Sequence, residues 1–300
     1  MIHGLLPCDK ERGISSFATV EKARRLLHVK KAGHFGTLDP MATGLLLIGL
    51  GHVTKFFDLF LKKEKTYSGV IRLGYATTTF DQEGEPTCEP RPVALERIDL
   101  AALEKRFSGP QEQLPPRYSA KKYRGEPLYA YARRGEEAPI KTQQIVVHEF
   151  HLEPRPPDSL FFRIRSSSGT YIRSLANDIG EFLGTGGHLA ELVRERVGEY
   201  TLDQAHSLPA IAAAAAAGQA EQLVIPIESL LPEFAKVIVS PGGRRAVTQG
   251  MDLKPGDILK IYPSTDPARF RIFDETGKLL ALATREPGRP VFRPLMVFPE

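Results

Sequence analysis

The sequence predicts an α+β fold followed by a small all-β barrel, with a boundary near residue 232. Helical and strand patterns mix in residues 1–232 without the regular alternation of a doubly wound sheet. A low-complexity run, PAIAAAAAAGQAEQ at residues 209–222, precedes the boundary. Beyond Pro232 the chain changes to short β-type runs separated by turn residues, which is typical of a small barrel. We therefore expect two domains, at residues 1–232 and 233–300.

The first helix is predicted from a serine cap and an apolar stripe. Ser15 or Ser16 can cap a helix that extends to Leu27. The stripe that we expect to face the core consists of Phe17, Val20, Ala23 and Leu27.

Further elements of the body follow from the same patterns. Residues 67–73 and 160–166 have the composition of strands, and residues 171–183 have helical spacing. The helical residues expected to point inward are Ile172, Leu175, Ile179 and Phe182.

The C-terminal part contains five candidate strands, and the sequence DETG at residues 274–277 predicts a hairpin turn between two of them. The strands are predicted at residues 236–239, 258–262, 270–273, 278–283 and 291–298.

Composition restricts the class of protein. With 42% hydrophobic and 25% charged residues in 300, the chain is typical of globular proteins rather than disordered or fibrous ones. No apolar run approaches the ~20 residues of a membrane helix, and MIHGLLPCDKERG lacks a secretory signal, so we expect a cytoplasmic protein with no membrane contact. Cys8 and Cys88 have no CxxC spacing, which favours neither a disulfide framework nor a zinc site.

The positive charge is unevenly distributed. Residues 1–234 contain 29 basic and 29 acidic residues, whereas residues 235–300 contain 11 and 7, so the net charge of +4 lies at the C-terminal end. A basic module suits an anionic partner, of which nucleic acid is the commonest.

Motifs for nucleotide cofactors and metals are missing. The sequence has no GxxxxGK[ST] loop, and GLG at residues 49–51 is followed by Thr54 where a dinucleotide fingerprint has its third glycine. His148 and His151 lack the HExxH spacing of a zinc site. We expect no nucleotide cofactor and no metal.

The most unusual local stretch is GHFGTLDPMATG at residues 33–44. Its glycines allow a substrate to approach the backbone closely, while Asp39 offers a carboxylate as nucleophile or base with His34 nearby. The structural alternative is that Asp39 caps a short helix that starts at Pro40, or forms an Asx-type turn. The residues alone leave both interpretations open.

The same stretch resembles the catalytic motif of the TruB family of transfer RNA pseudouridine synthases. Three segments follow in the family's order and approximate spacing: KTYSGVIRLG around Tyr67, TTTFDQEGEP around Asp81, and SSSGTYIRSLANDIGEFLGTGGHLAELVR around Arg173. A basic C-terminal module similar to a PUA domain completes the resemblance. It implies a pseudouridine synthase domain with a mixed, mainly antiparallel sheet, an RNA-contacting insertion at about residues 110–145, and a PUA-like barrel.

The resemblance implies that Asp39, Tyr67 and Arg173 are catalytic residues. Asp39 would be the nucleophile, adding to uridine at C6 or at the ribose C1′ before the base reattaches through C5. Arg173 would pair with Asp39 and keep it ionised, and Asp81 would hold Arg173 in turn. Tyr67 would stack on the flipped-out base. The substrate-binding positions implied by the resemblance are His34, Lys55, Asp81, Tyr171 and Leu192.

Three basic segments are candidates for RNA contact. Residues 117–134 contain six Lys or Arg and four tyrosines, a combination that suits phosphates and splayed bases. In FFRIR at residues 161–165, Arg163 and Arg165 alternate with apolar residues and form either a basic ridge or a solvated face. Five cations lead toward the His34 loop, namely Lys22, Arg24, Arg25, Lys30 and Lys31.

The resulting hypothesis is an enzyme that isomerises the uridine at position 55 in the T-loop of tRNA to pseudouridine. We expect it to act on the T-arm as a monomer without any cofactor. Two alternatives remain: a non-catalytic RNA-binding protein in which Asp39 is incidental, and a hydrolase in which Asp39 and His34 form an acid–base pair.

Overall fold

The strands form two main sheets in the computed structural model, which describes residues 2–119, 121–136, 138–285 and 288–298. The strands of the described residues are β1 (Gly4–Lys10), β2 (Ala32–His34), β3 (Thr43–Leu50), β4 (Lys65–Leu73), β5 (Gly109–Gln113), β6 (Lys122–Tyr123), β7 (Glu126–Pro127), β8 (Gln143–Arg155), β9 (Ser159–Ser166), β10 (Gly187–Val197), β11 (Tyr200–Thr201), β12 (His206–Ser207), β13 (Ile225–Pro226), β14 (Phe234–Val239), β15 (Ile258–Tyr262), β16 (Asp266–Phe273), β17 (Leu279–Thr284) and β18 (Arg293–Val297). Their helices are α1 (Ser16–Leu26), α2 (Phe57–Leu61), α3 (Leu100–Arg106), α4 (Leu128–Arg133), α5 (Ile172–Phe182), α6 (Leu208–Ala216) and α7 (Pro241–Thr248).

The larger sheet is mixed and mainly antiparallel, which confirms that part of the predicted fold. Its main path runs β12-β1-β3-β10-β4-β9-β8-β5, while β2, β11 and β13 pair with β3, β10 and β1. Two described pairs are parallel, β1 with β12 and β3 with β10. The strands β6 and β7 form a separate ribbon.

The register of the central strands brings distant segments together. On β10, Arg194 is the partner of Gly44 on one side and of Tyr67 on the other. Gly44 has φ 96°, and a Cβ there would lie 2.5 Å from the Arg194 carbonyl oxygen, so the close approach of β3 requires glycine. Because β3 follows directly after the Asp39 loop, this register sets the loop beside Tyr67.

The first helix begins as predicted, with the Ser15 side chain accepting a hydrogen bond from the Ala18 amide. Val20, Ala23 and Leu27 are buried, but Phe17 is 70% exposed, so its predicted place in the core was wrong. At about 100° per residue, the three buried side chains lie within about 60° of one another, and Phe17 lies about 60° beyond the edge of that stripe.

The second predicted helix, α5, buries Ile172, Leu175 and Ile179 as expected. Phe182 is 59% exposed instead of buried. It is the last residue of the helix and meets Phe107 edge-on, with ring centroids 6.0 Å apart. The alanine run forms α6, which buries Leu208 and Ile211.

The C-terminal part contains the five predicted strands in the order β15-β14-β16-β17-β18. The Asp274 amide donates to the Lys278 carbonyl and closes the predicted hairpin turn. This part is not all-β, because Ser240 caps α7 and Pro241 occupies its first turn. Among the described residues, β15 and β18 form no ladder that would close a barrel, so the PUA-like barrel stays a prediction.

An apolar cluster joins the two sheets. Phe56 and Phe298 are buried and meet edge-on, with ring centroids 5.6 Å apart. The same cluster contains Leu5 on β1, Phe273 on β16 and Leu279 on β17. The C-terminal sheet therefore packs against the body through a shared core.

Within the described ranges, the longest helices have 11 residues, and none combines the length and hydropathy needed to cross a bilayer.

Candidate active site

Asp39 and Arg173 form an ion pair in a cleft. Arg173 Nε lies 2.9 Å from Asp39 Oδ2, and Nη2 donates to Oδ1 at 3.2 Å. The Arg173 side chain is 6% exposed and that of Asp39 is 35% exposed. The carboxylate is therefore accessible from the cleft, whereas the guanidinium lies behind it.

Arg173 is held by three further acceptors. Its Nη1 lies 3.3 Å from Asp81 Oδ2 and donates to the Thr79 carbonyl at 3.1 Å, and its Nη2 donates to the Tyr118 carbonyl at 2.8 Å. Asp81 itself accepts from the Thr79 hydroxyl and the Glu83 amide. A guanidinium with this many fixed partners has one orientation, which aims the paired carboxylate of Asp39.

Arg173 is the second residue of α5, where the helix dipole disfavours a cation. The start of the helix is anchored by Gln113 on β5, whose side chain accepts from the Tyr171 amide and donates to the Tyr171 carbonyl. Ser174 also donates to the Leu114 carbonyl at 2.8 Å. These contacts anchor the start of the helix, and the carboxylates of Asp39 and Asp81 offset the unfavourable interaction of the Arg173 cation with the helix dipole.

Lys10 contacts the backbone of the Asp39 loop, and this role was not predicted from the sequence. Its Nζ donates to the carbonyls of Pro40 at 3.3 Å and Ala42 at 2.6 Å. The side chain is fully buried, and burial lowers the pKa of Lys10 to about 8. A lysine in the fragment DKERG carries no sequence signal that separates a buried ammonium from an exposed one.

Arg194 supports the other side of the loop and was also missed. The fully buried guanidinium donates to the carbonyls of Gly36 at 3.0 Å, Thr37 at 3.4 Å and Leu45 at 2.7 Å. Burial lowers the pKa of Arg194, and the neighbouring Tyr67 side chain opposes that fall. Period two from Leu192 places Arg194 on the same face of β10, and this was the available signal.

The cleft has a volume of about 220 Å³ and brings together five of the predicted site residues with several that were not predicted. Tyr67, Tyr171 and Leu192 line it with Asp39 and Arg173, and Asp81 contacts Arg173 from behind. The additional lining residues with polar side chains are Thr37, Lys65, Ser119, Thr170 and Arg194.

Burial raises the pKa of the Asp39 carboxyl above its ordinary value of 3.8, and the Arg173 guanidinium opposes that rise. Asp81 adds to the rise, because two carboxylates share one guanidinium. A raised pKa makes the ionised Asp39 more basic, and the ion pair favours the ionised form. The result is a carboxylate suited to nucleophilic attack in a cleft with an aromatic wall.

His34 lies on β2, just before the loop, and is not among the described residues that line the cleft. Burial lowers the pKa of His34 from its ordinary value. Lys55 lies farther away, at the contact between the larger sheet and the C-terminal sheet, which we call the seam. Its ammonium donates to the Val297 carbonyl at 3.0 Å and lies 5.7 Å from the centre of the Phe298 ring. The fold does not bring Lys55 into the cleft.

The basic, tyrosine-rich segment at residues 117–134 reaches the cleft through the Tyr118 carbonyl and Ser119. Its outer part pairs cations with tyrosines, since Arg124 and Arg134 lie over the rings of Tyr123 and Tyr131. Within this segment, Ala120 and the side chains of Lys122, Pro127, Tyr129, Ala132 and Arg133 lie outside the described part.

The strand with Arg163 and Arg165 is a solvated face of paired charges and not a basic ridge. Arg163 contacts Glu195 at 2.9 Å. Arg165 contacts Glu64 at 2.7 Å and Glu149 at 2.8 Å. These glutamates, which come from other strands or loops, neutralise the two arginines.

No group of three His, Cys, Asp or Glu side chains within the described residues is placed to hold a metal ion. The carboxylates that do meet, Asp39 and Asp81, share a guanidinium instead.

Family models match most of the body. One for the N-terminal domain of TruB family pseudouridylate synthases matches residues 24–172, and one for the C-terminal domain of tRNA pseudouridylate synthase B matches residues 173–232. The chain is 41% identical over 258 residues to tRNA pseudouridine synthase B of Azoarcus sp. (strain BH72), covering 86% of this chain and 85% of the relative. It is 39% identical over 310 residues to tRNA pseudouridine synthase B of Thermobifida fusca (strain YX), covering 99% of each chain.

Solved structures share the fold. A chain of an H/ACA RNP bound to a substrate RNA containing 2′-deoxyuridine superimposes with a TM-score of 0.73 and 22% identity, covering 99% of this chain and 86% of that one. A chain of a Cbf5-Nop10-Gar1 complex gives a TM-score of 0.72 at 24% identity, with 99% and 84% covered. At this identity the likeness concerns the fold alone.

Proposed function

The chain belongs to the TruB family of pseudouridylate synthases, and we propose that it converts the uridine at position 55 in the T-loop of tRNA into pseudouridine, with Asp39 as nucleophile. The observation that carries this proposal is the Asp39–Arg173 ion pair, which presents a carboxylate to a cleft walled by Tyr67 and Leu192. As a tRNA pseudouridine synthase the protein is an enzyme, and tRNA is the substrate that its relatives are named for.

The reaction exchanges one bond for another without oxidation or reduction. The bond from ribose C1′ to N1 of uracil breaks, a bond from C1′ to C5 forms, C5 loses its proton and N1 gains one. Asp39 adds to C6 of the base or to C1′, and both routes require the ionised carboxylate. Arg173 supports either route because it aims the carboxylate and opposes its protonation.

A uridine in a folded RNA loop must leave its neighbours to reach Asp39, which costs a few kcal/mol. Tyr67 offers an aromatic face, and stacking a base on such a ring contributes about 1–3 kcal/mol. Arg194 is the register partner of Tyr67 on the neighbouring strand, and its guanidinium holds the backbone of Gly36 and Thr37. Arg194 therefore keeps the strand that carries Tyr67 and the loop that carries Asp39 in a fixed relative position.

Our proposal for the wider substrate contact rests on two regions. The insertion at about residues 110–145 would lie over the RNA, because Tyr118 and Ser119 already border the cleft. The basic part at residues 233–300 would be a PUA-like RNA-binding domain following a catalytic domain at residues 1–232, and the second family match ends at residue 232. A monomer, cytoplasmic location and contact with the tRNA T-arm remain parts of this hypothesis.

The test uses unmodified tRNA transcripts labelled with tritium at C5 of uridine. Wild-type protein should release tritium and produce one pseudouridine at position 55, and a transcript with cytidine at that position should release none. A non-catalytic RNA-binding protein would release none from either transcript, and a hydrolase would release free base without forming the isomer. Either result would contradict the proposal.

A further inference from the structure

Phe17 is the most exposed of the large apolar side chains in the described residues, at 70%. Burying a phenylalanine side chain typically stabilises a fold by about 1.5–3 kcal/mol, and Phe17 contributes little of this within the described chain. Its sequence context, SSFATVEKARRLL, predicts a core position, yet the helix turns it to solvent. The exposed ring is therefore available to a partner.

The position of Phe17 is fixed relative to the nucleophile. The preceding residue, Ser16, accepts from the Leu38 amide at 2.8 Å and donates to the Leu38 carbonyl at 2.9 Å. Gly13 also donates to the Pro40 carbonyl at 2.8 Å. Hydrogen bonds to the residues on both sides of Asp39 tie the start of α1 to the catalytic loop, so the exposed ring lies at a rigid place beside it.

The solvent face of α1 is basic. Glu21 is the helix's acidic residue and is paired with Arg24 at 3.0 Å. Arg25 lies about 80° around the helix from Phe17, and Lys22 lies about 140° around it on the same side. Both are exposed, as are Lys30 and Lys31 just beyond the helix. In the part of the chain that is described, these four cations form no ion pair.

We propose that Phe17 is a stacking platform for an unpaired base in the loop that carries the target uridine, with the cations of α1 contacting the adjoining phosphates. The inference rests on the proposed function and extends its RNA contact to a second aromatic face, outside the cleft that holds Tyr67. An exposed aromatic ring beside unpaired cations is the combination by which proteins bind single-stranded nucleic acid. A purely apolar protein partner would not require the cations.

The absence of tryptophan from the chain permits a direct test. Phe17→Trp introduces a unique fluorophore, and its emission should be quenched on titration with an unmodified T-arm stem-loop, because a stacked base quenches indole. Phe182→Trp, at a side chain that is 59% exposed on α5, is the matched control and should show no comparable change. Equal responses of the two proteins would overturn the proposal.

Affinity provides the second measurement. Phe17→Ala should weaken stem-loop binding about tenfold, within the range of one lost stacking contact, while the slope of log K against log salt stays unchanged. Arg25→Gln should instead reduce that slope by about 0.7–0.9, the value for one phosphate contact. Phe17→Tyr should bind like wild type. Binding by Phe17→Ala within twofold of wild type would overturn the proposal, as would a Phe17-dependent dimer in sedimentation without RNA.

The outcomes separate this inference from the proposed function. If wild-type protein forms pseudouridine while the Phe17 variants bind normally, the stacking platform is wrong and the enzyme assignment stands. If Phe17→Trp is quenched selectively but no pseudouridine forms, the platform stands and the proposed reaction is wrong.

Discussion

Asp39 and Arg173 stand 134 residues apart in the chain and meet as an ion pair, with 2.9 Å between Nε of the arginine and Oδ2 of the aspartate. One partner lies on a loop that precedes β3, and the other begins α5. Their meeting converts an ordinary turn aspartate into an aimed carboxylate. It favours the catalytic interpretation of Asp39 over the structural one, and the first two predictions below depend on it.

Replacing Asp39 by Asn should abolish pseudouridine formation while leaving RNA affinity nearly intact. The change removes the nucleophile but no cation, so the rate should fall by more than about a thousandfold and stem-loop affinity should change less than about threefold. Tritium release and filter binding measure the two quantities. Equal product from the variant and wild type would remove Asp39 from the proposed mechanism.

Activity should fall as pH decreases, with a midpoint above 3.8. Burial raises the Asp39 pKa, and the protonated carboxyl is no nucleophile, so activity is lost as pH falls through the raised value. Arg173→Gln removes a cation that lowers this pKa, which should move the midpoint further up. Single-turnover rates across pH measure both, with Arg196→Gln on exposed β10 surface as control. A midpoint unmoved by Arg173→Gln would contradict this explanation.

Replacing Arg194 by Met should destabilise the fold by about 2–4 kcal/mol and lower activity. The change leaves the carbonyls of Gly36 and Leu45 without a buried donor, and each such loss is costly. Arg196→Met is the matched control, because Arg196 is exposed and donates to the Gly198 carbonyl. Urea unfolding should place the control within about 0.5 kcal/mol of wild type. Similar free energies for both variants would show that the buried contacts matter little.

The free energy of unfolding should rise between about pH 8 and pH 10, and Lys65→Met should flatten that rise. Burial lowers the pKa of Lys65 from 10.5 to about 8, so the unfolded chain binds more protons than the folded one in this window. The effect can reach about 3 kcal/mol for such a shift. Urea unfolding at several pH values measures it, and the exposed Lys62→Met should keep the wild-type slope.

Phe298→Ala should destabilise the protein by about 3–5 kcal/mol, because Phe298 is 3% exposed and packs on Phe56 across the seam. Leu295→Ala, at a side chain that is 58% exposed on β18, should change the free energy of unfolding by less than about 0.5 kcal/mol. A single cooperative transition is expected in urea. An early transition confined to the C-terminal sheet would show that the seam contributes little.

Structural features that depend on neighbouring residues could be predicted from the sequence. The serine cap of α1, the hairpin turn at Asp274 and the strands of the C-terminal sheet each depend on residues within a few positions of one another, and all three were predicted. Short-range capping and turn hydrogen bonds determine these features. The candidate site residues were recognised through motif resemblance, and that is why Lys55 was included although the fold places it at the seam.

The tertiary structure decided what depends on register and on burial. Periodicity placed Phe17 in the core, but the rotation of α1 on the sheet exposed it. Lys10 and Arg194 were not among the residues predicted to matter, yet the fold buries both against loop carbonyls. The residue type determines whether a side chain can carry a charge. The dielectric around that side chain and the partners that it meets depend on segments far away in the chain. The sequence therefore determined which groups are available for chemistry, and only the packing of the sheet decided which of them meet.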